Sequence, residues 1–533
     1  MSTGPAAEPG PRSGSLVYGD QGVVAAGSRQ AADTAAAVLS AGGNAIDAAV
    51  AASATQCVVE FPWCGLGGDL FLMVDREDTG VVALNGSGAA PFRRGAALAG
   101  RDRLPRFGPL SVGVPGLPMA WSLALERFGS MPLAALLAPA IGLAGKGFAL
   151  DHRTAAAVAA VAAAGDEEYP GLSSLLSGNG HRAGEVFTQP DLARSLDLLG
   201  RYGTDWFYRG EFAEKLAGQM RRTGGLLDAV DLAGHLTQWT EPLSVGYRGY
   251  RIYQHAPVSM GMLMLSELGL LEQFDLSGTE PGSVELVDLM VRCKVAAFSD
   301  LHNAQELTLP DIVERLSPTR AAWWRDRLAS GAGGGRIPLP GGNDTTCLAI
   351  TDADGTTVTL IHSLFNTFGS REIVEGTGVV LNDRLAGLRL DGGPGPKFVP
   401  GGRPLHTLNT YMAKRDGRLV IAGATPGGRG QVQTNFQVLV NHLDFGMAPL
   451  AAVEQPRWLH GTPRRNVDDG MLHLEQGFPE QHADGLRRLG HPVAVAEFRD
   501  DDLFGSCTVV GTGPGAKPYA VADSRRGAAV SGC

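Results

Sequence analysis

The feature that most constrains this chain is an abrupt change of character at residue 344. Ser330–Asn343 reads SGAGGGRIPLPGGN, a glycine- and proline-rich loop with almost no large apolar side chain to pack. It runs straight into TTCLAITDADGTTVTLIHSLF, a β-branched and apolar run that predicts two strands hinged on Asp354-Gly355. A threonine, Thr345, therefore stands where an unpackable loop becomes a buried strand. Taken alone this is a weak sign of chemistry, because β-branched residues open strands everywhere.

Upstream, Ala31–Ala54 is alanine-rich and helical in composition, broken at Gly42-Gly43 and resumed at Asn44, a helix cap. CVVEFPWCGLGGDLFLMVD then predicts an apolar strand, a glycine turn and a second strand from Leu70 to Val74. From Leu117 to Leu328 the pattern is mostly helical, with helices expected over Met119–Arg127, Leu133–Leu143, Phe212–Arg222 and Ser283–Ala297. Beyond the hairpin, strands alternate with helices, notably Gln431–Leu443. Residues 1–15 are rich in Pro, Gly and Ser and are expected to be disordered. No internal repeat points to a solenoid or propeller.

Composition removes several classes of function. A formal net charge of −10, with no basic run, argues against a nucleic-acid partner. The N-terminal residues lack the basic and apolar regions of a signal peptide, and no stretch of about 18 apolar residues spans a bilayer. A cytoplasmic protein without a membrane partner is expected. Cys57, Cys64, Cys293, Cys347, Cys507 and Cys533 form no CxxC pair or tight Cys/His cluster in the sequence, which reads as reduced core thiols. HExxH, EF-hand, P-loop and dinucleotide fingerprints are missing, so neither a metal nor a cofactor is expected.

Eight blocks, in order, carry a resemblance. They are Gly42–Ala52 (GGNAIDAAVAA), Val58–Phe71 (VVEFPWCGLGGDLF), Ser111–Trp121 (SVGVPGLPMAW), Asp231–Tyr250 (DLAGH and a following YRGY), Asn343–Gly355 (NDTTCLAITDADG), Phe368–Asp383 (FGSREIVEGTGVVLND), Gly401–Leu408 (GGRPLHTL) and Ala424–Asn441 (ATPGGRGQVQTNFQVLVN). Over nearly its whole length the chain resembles γ-glutamyltransferases and their acylase relatives. The resemblance implies an α+β fold, the αββα four-layer sandwich of N-terminal-nucleophile hydrolases. It also implies a cut at Asp344–Thr345, giving a large subunit (16–344 beyond the disordered residues 1–15) and a small subunit 345–533 that form one composite domain as a heterodimer. Thr345 would then be nucleophile and base together: its hydroxyl needs a base beside it, and a new α-amine of pKa about 7.7–8.0 supplies one. Gly427 and Gly428 of the PGG motif would stabilise the oxyanion, Ser363 would orient the amine, and Thr346 would support the backbone around the nucleophile.

The family's head-group contacts are altered. Where γ-glutamyl enzymes carry an arginine for the α-carboxylate, this chain offers Ser87, Gly88 and Ala89, and no arginine before Arg93. Where they carry an acid for the α-ammonium, it has Gly387, with Arg384 three residues earlier. Phe365 replaces an asparagine, and His406-Thr407 replace a serine pair. A zwitterionic head group needs both charges, so γ-glutamyl peptides are not expected to be the main substrate. Arg429, Arg384, Arg371 and His406 instead suit a small acidic substrate such as an oxalyl, oxamate-like or glutaryl amide. Three alternatives stay open: a conventional γ-glutamyl hydrolase or transpeptidase, a biosynthetic relative that cleaves a C–C bond next to a carbonyl, and an inactive homologue kept as a subunit.

Overall fold

The computed structural model describes residues 14–93, 95–169, 171–300, 307–329, 344–391, 393, 395–462, 467–496 and 503–533. The expected loop Ser330–Asn343 and the first 13 of the 15 N-terminal residues lie outside them; Ser15 already opens a strand.

Asn44 performs the capping role that its place before an apolar run predicts. Its side chain accepts from the N–H groups of Ile46 (2.9 Å) and Asp47 (3.1 Å), while the Asp47 carboxylate takes the Asn44 N–H in return. Helix Arg29–Ser40 ends just before Gly42, which has φ 90°, and helix Ala45–Val59 begins after the cap. All 15 residues of the second helix are buried, as befits a helix that is small and apolar all round. It runs through the region expected to hold a first strand. Cys57, Val58 and Val59 form its last turn, because a capped, fully buried helix gains more from continuing its hydrogen-bond ladder than from opening an apolar strand. The strand expected at Leu70–Val74 is present as Asp69–Arg76.

Two seven-stranded sheets stack face to face. One runs, in spatial order, 529–532, 22–26, 344–352, 357–365, 69–76, 80–86 and 238–240. The other runs 15–18, 518–522, 508–512, 418–424, 410–415, 250–254 and 243–247. Between them small and flexible side chains meet: Val23, Ala25, Met73 and Ala349 from the first, Met412, Ala422, Val510 and Ala520 from the second. Helices Arg29–Ser40, Ala45–Val59, Leu117–Phe128 and Leu133–Lys146 cover the outer face of the first sheet. Helices Gly261–Leu271, Val284–Asp300 and Gly430–Leu443 cover the second. This is the four-layer α+β sandwich that the resemblance implies, and the predicted helices and hairpin fall where expected. Among the described residues, no helix is long and apolar enough to cross a membrane.

The strand Asp344–Asp352 lies inside its sheet, paired with Gly22–Ala26 on one edge and Thr357–Phe365 on the other. A cut before Thr345 would thus leave strands of both fragments interleaved. Replacing the cap, Asn44→Ala, is expected to lower stability by about 1–2 kcal/mol, measured as a reduced denaturant midpoint with the Thr345→Ala background keeping the chain whole.

Candidate active site

The register between Asp344–Asp352 and Thr357–Phe365 breaks at Thr345. Asp344 pairs with Phe365 but Thr346 pairs with His362, so Ser363 and Leu364 together oppose Thr345. Such a bulge unpairs and re-aims the residue it faces. Side chains alternate on either side of it. Cys347 and Ile361 face the second sheet, and by period two so do Thr345 and Ser363. Thr346 and His362 face helix Ala45–Val59 instead.

Thr346 is pinned there. Gln56 Nε2 donates to its Oγ1 (2.8 Å) and to the Cys347 carbonyl (3.2 Å). Glu60, buried at the end of the same helix, is hydrogen-bonded by the Thr346 side chain; desolvation raises its pKa, and that bond opposes the rise. Thr346 thus ties the strand to the helix one residue after Thr345.

Thr345 is 4% exposed and lines a cavity of about 150 Å³ with Glu60, Trp63, Arg153, Pro426 and Ser506 among its walls. Pro426 brings the PGG turn to this cavity. Gly427 (φ 125°) and Gly428 (φ 57°) take conformations that side chains disfavour, and the helix Gly430–Leu443 starts immediately after. Neither glycine N–H donates to a described residue. Gly427 and Gly428 thus stand at the positive, N-terminal end of a helix, next to a Pro426 that lines the Thr345 cavity. Ser363 Oγ accepts the Phe365 N–H at 2.7 Å, which fixes its orientation across from Thr345.

Next to this face lies a buried charged cluster that the sequence reading saw only in part. Asp69 pairs with Ser363 in register. Its carboxylate accepts the Gly88 N–H (2.7 Å) and Arg384 Nε (3.0 Å), and His406 Nε2 stands 3.8 Å away. The Arg384 guanidinium sits 4.4 Å from the Phe365 ring centroid. Among the described residues, its Nη1 and Nη2 find no hydrogen-bond partner, nor do the two ring nitrogens of His406. Burial drives every group here toward neutrality: it raises the Asp69 pKa and lowers those of Arg384 and His406. Thr407 is buried beside His406, and Arg429 is buried where the glycine pair enters its helix.

Other expected positions fall elsewhere. Arg371 is sandwiched between the rings of Phe107 (3.5 Å) and Tyr169 (3.9 Å), so it does not join Arg384 as the sequence suggested. Arg93 is on the surface, paired with Asp228. A Cβ at Gly88 would lie 1.6 Å from the Val114 carbonyl oxygen, so no arginine can stand at that position. Ser87 is spent on Asn85 Oδ1 through both its N–H and its hydroxyl. Gly387 faces open space. Asp383, the nearest other acid, is engaged by the backbone and side chain of Asn366. Asp69, Gln56 and Glu60 were missed. The available signal was a carboxylate or amide inside an otherwise apolar segment, as in DLFLMV and SATQCVVEF, which a fold buries only with a partner.

Comparison with known proteins bears on the fold and the family. The solved cephalosporin acylase from Bacillus halodurans superposes with a TM-score of 0.89 at 29% identity, covering 100% of this chain and 99% of its own. The glutathione hydrolase-like YwrD proenzyme of Bacillus subtilis is 33% identical, covering 89% of this chain and 91% of the relative. The oxamate amidohydrolase proenzyme of Klebsiella pneumoniae is 32% identical, with 90% and 92% covered. Residues 31–533 match the Gamma-glutamyltranspeptidase family, and the chain belongs to that family of N-terminal-nucleophile hydrolases.

Proposed function

We propose that this protein is a self-processing amidohydrolase that acts on small amides whose acyl group carries a carboxylate. Cleavage before Thr345 frees an α-amine that takes the proton of the Thr345 hydroxyl as the hydroxyl attacks the scissile carbonyl. Gly427 and Gly428 donate to the oxyanion, Ser363 orients the amine, and water resolves the acyl-enzyme. The leaving amine receives the proton held by the α-ammonium, which restores the base.

The observation that carries the substrate class is the Arg384 fork. Its Nε is committed to Asp69, while Nη1 and Nη2 are buried and unpartnered beside the neutral His406 ring. A buried donor pair of this kind is satisfied by a planar carboxylate. Among the described residues around Arg384, the acids are already engaged: Asp69 accepts from Gly88 and Arg384, and Asp383 is held by Asn366. An anionic acyl group therefore fits better than the zwitterion of a γ-glutamyl peptide. The name of the Klebsiella relative supports the same class.

Intact-mass analysis of purified protein is expected to give fragments of 344 and 189 residues, about 36 and 20 kDa if the 55.6 kDa chain is divided in proportion. They should co-elute until denatured, and Thr345→Ala should stay whole and inactive. A single uncut chain in active wild-type protein would remove the nucleophile assignment; an uncut chain without turnover would favour an inactive homologue.

With oxamate and oxalyl or glutaryl amides as substrates, kcat/KM is expected to rise as pH increases through about 7.7–8.0, because the protonated amine cannot act as base. Arg384→Lys keeps the charge beside Asp69 but loses the fork. It should lower kcat/KM for these substrates roughly 10- to 150-fold while self-cleavage continues. Faster turnover of a γ-glutamyl anilide than of any acidic amide would overturn the substrate class.

A further inference from the structure

The fold brings together three side chains that the sequence keeps apart. Cys57 lies in the last turn of helix Ala45–Val59, and Cys64 follows in the next turn, its thiol donating back to the Glu60 carbonyl (3.6 Å). His362 points to them from the strand that pairs with the nucleophile strand, directly opposite Thr346. One ligand atom from each residue lies within 4.8 Å of the others, and all three residues are buried. Cys57 Sγ is 3.9 Å from His362 Nδ1. Tetrahedral ligands with metal–sulfur bonds of about 2.3 Å and metal–nitrogen bonds of about 2.0–2.1 Å stand on the order of 3.6–3.8 Å apart, so only a small contraction is needed.

The hydrogen bonds also settle which imidazole nitrogen carries the lone pair. Gln56 Nε2 donates to Thr346 Oγ1 and to the Cys347 carbonyl, and the carbonyl can only accept. The amide orientation is therefore fixed, and Oε1 is the atom facing His362. Because Oε1 only accepts, His362 Nε2 must carry the proton of their 3.0 Å bond. In the neutral ring this leaves Nδ1 as a lone pair aimed at Cys57. A histidine whose far nitrogen is tied to an oxygen acceptor is the oriented form in which metals are bound.

We propose that Cys57, Cys64 and His362 form a binding site for a thiophilic divalent cation of the zinc and cadmium class, lying beneath the nucleophile strand. Two thiols lose their protons to solvent as the cation binds, so its two charges are balanced and no redox step is involved. Contraction of the three ligands pulls on His362, which connects through Gln56 to Thr346. Occupancy therefore shifts the strand that carries Thr345 and lowers turnover, because a displacement well below 1 Å already degrades a catalytic constellation. The loss of turnover rests on the function proposed above; the binding itself does not.

Wild-type protein titrated with Cd2+ is expected to develop a thiolate-to-metal charge-transfer absorption that saturates at one equivalent. The band should disappear in Cys57→Ser and Cys64→Ser, fall at least 10-fold in apparent affinity in His362→Gln, and persist in Cys533→Ser. Far-ultraviolet circular dichroism of each variant reports that it has folded. X-ray absorption of the wild-type adduct gives an answer even if a variant fails to fold: two sulfur neighbours with an imidazole are expected. A band that survives Cys57→Ser or Cys64→Ser, a wild-type protein with no band, or a shell with fewer than two sulfurs would overturn the site. If the site fills while turnover of an acidic amide is unchanged, the coupling to Thr345 is wrong and the proposed function is untouched.

Discussion

The structure depends on the strand that begins at residue 344 lying inside a sheet, not at its edge. Its backbone is paired on one side with Gly22–Ala26 and on the other with Thr357–Phe365, which in turn pairs with Asp69–Arg76. A cut before Thr345 would detach only the terminal Asp344–Phe365 pair from the ladders and leave the pairing from Thr346 onward in place. The bulge at Thr345 adds the local freedom that the ladder denies to residues further along. Gln56 and Glu60 then hold Thr346, so the freedom is confined to a single residue.

Beside this strand, the pocket trades one charge arrangement for another. Asp69 and Arg384 are both buried, and each is pushed toward its neutral form by loss of solvent. Such a pair is costly when half satisfied, because the unbonded Nη atoms forgo water without gaining a partner. Under the function proposed above, the carboxylate of the acyl group would supply the missing acceptors.

Much of the fold was legible locally. The Gly42–Asn44 break, the Asp354-Gly355 hairpin and the helix after the PGG turn each rest on residues whose backbone preferences act within a few positions. The misreading of Cys57–Val59 as a strand has the same origin: a short apolar run is compatible with either state, and the capped helix preceding it decided the matter. Arg371 was grouped with Arg384 because charge alone does not reveal direction; two aromatic rings, Phe107 and Tyr169, hold it. Asp69 passed unnoticed within an apolar block, although its partners Arg384 and Gly88 explain why a carboxylate is tolerated there.

By itself the sequence determined the family-bearing blocks and singled out Thr345 and the altered head-group positions, because these depend on which residue types occur and in what order. Only the tertiary structure decided what those residues do to one another. Gly88 lies too near the Val114 carbonyl for any side chain, Arg384 keeps two donors after meeting Asp69, and Cys57, Cys64 and His362 converge from segments some 300 residues apart. Distances across paired strands and packed layers set the electrostatics and the donor geometry, and these arise from contacts that no local stretch of sequence contains.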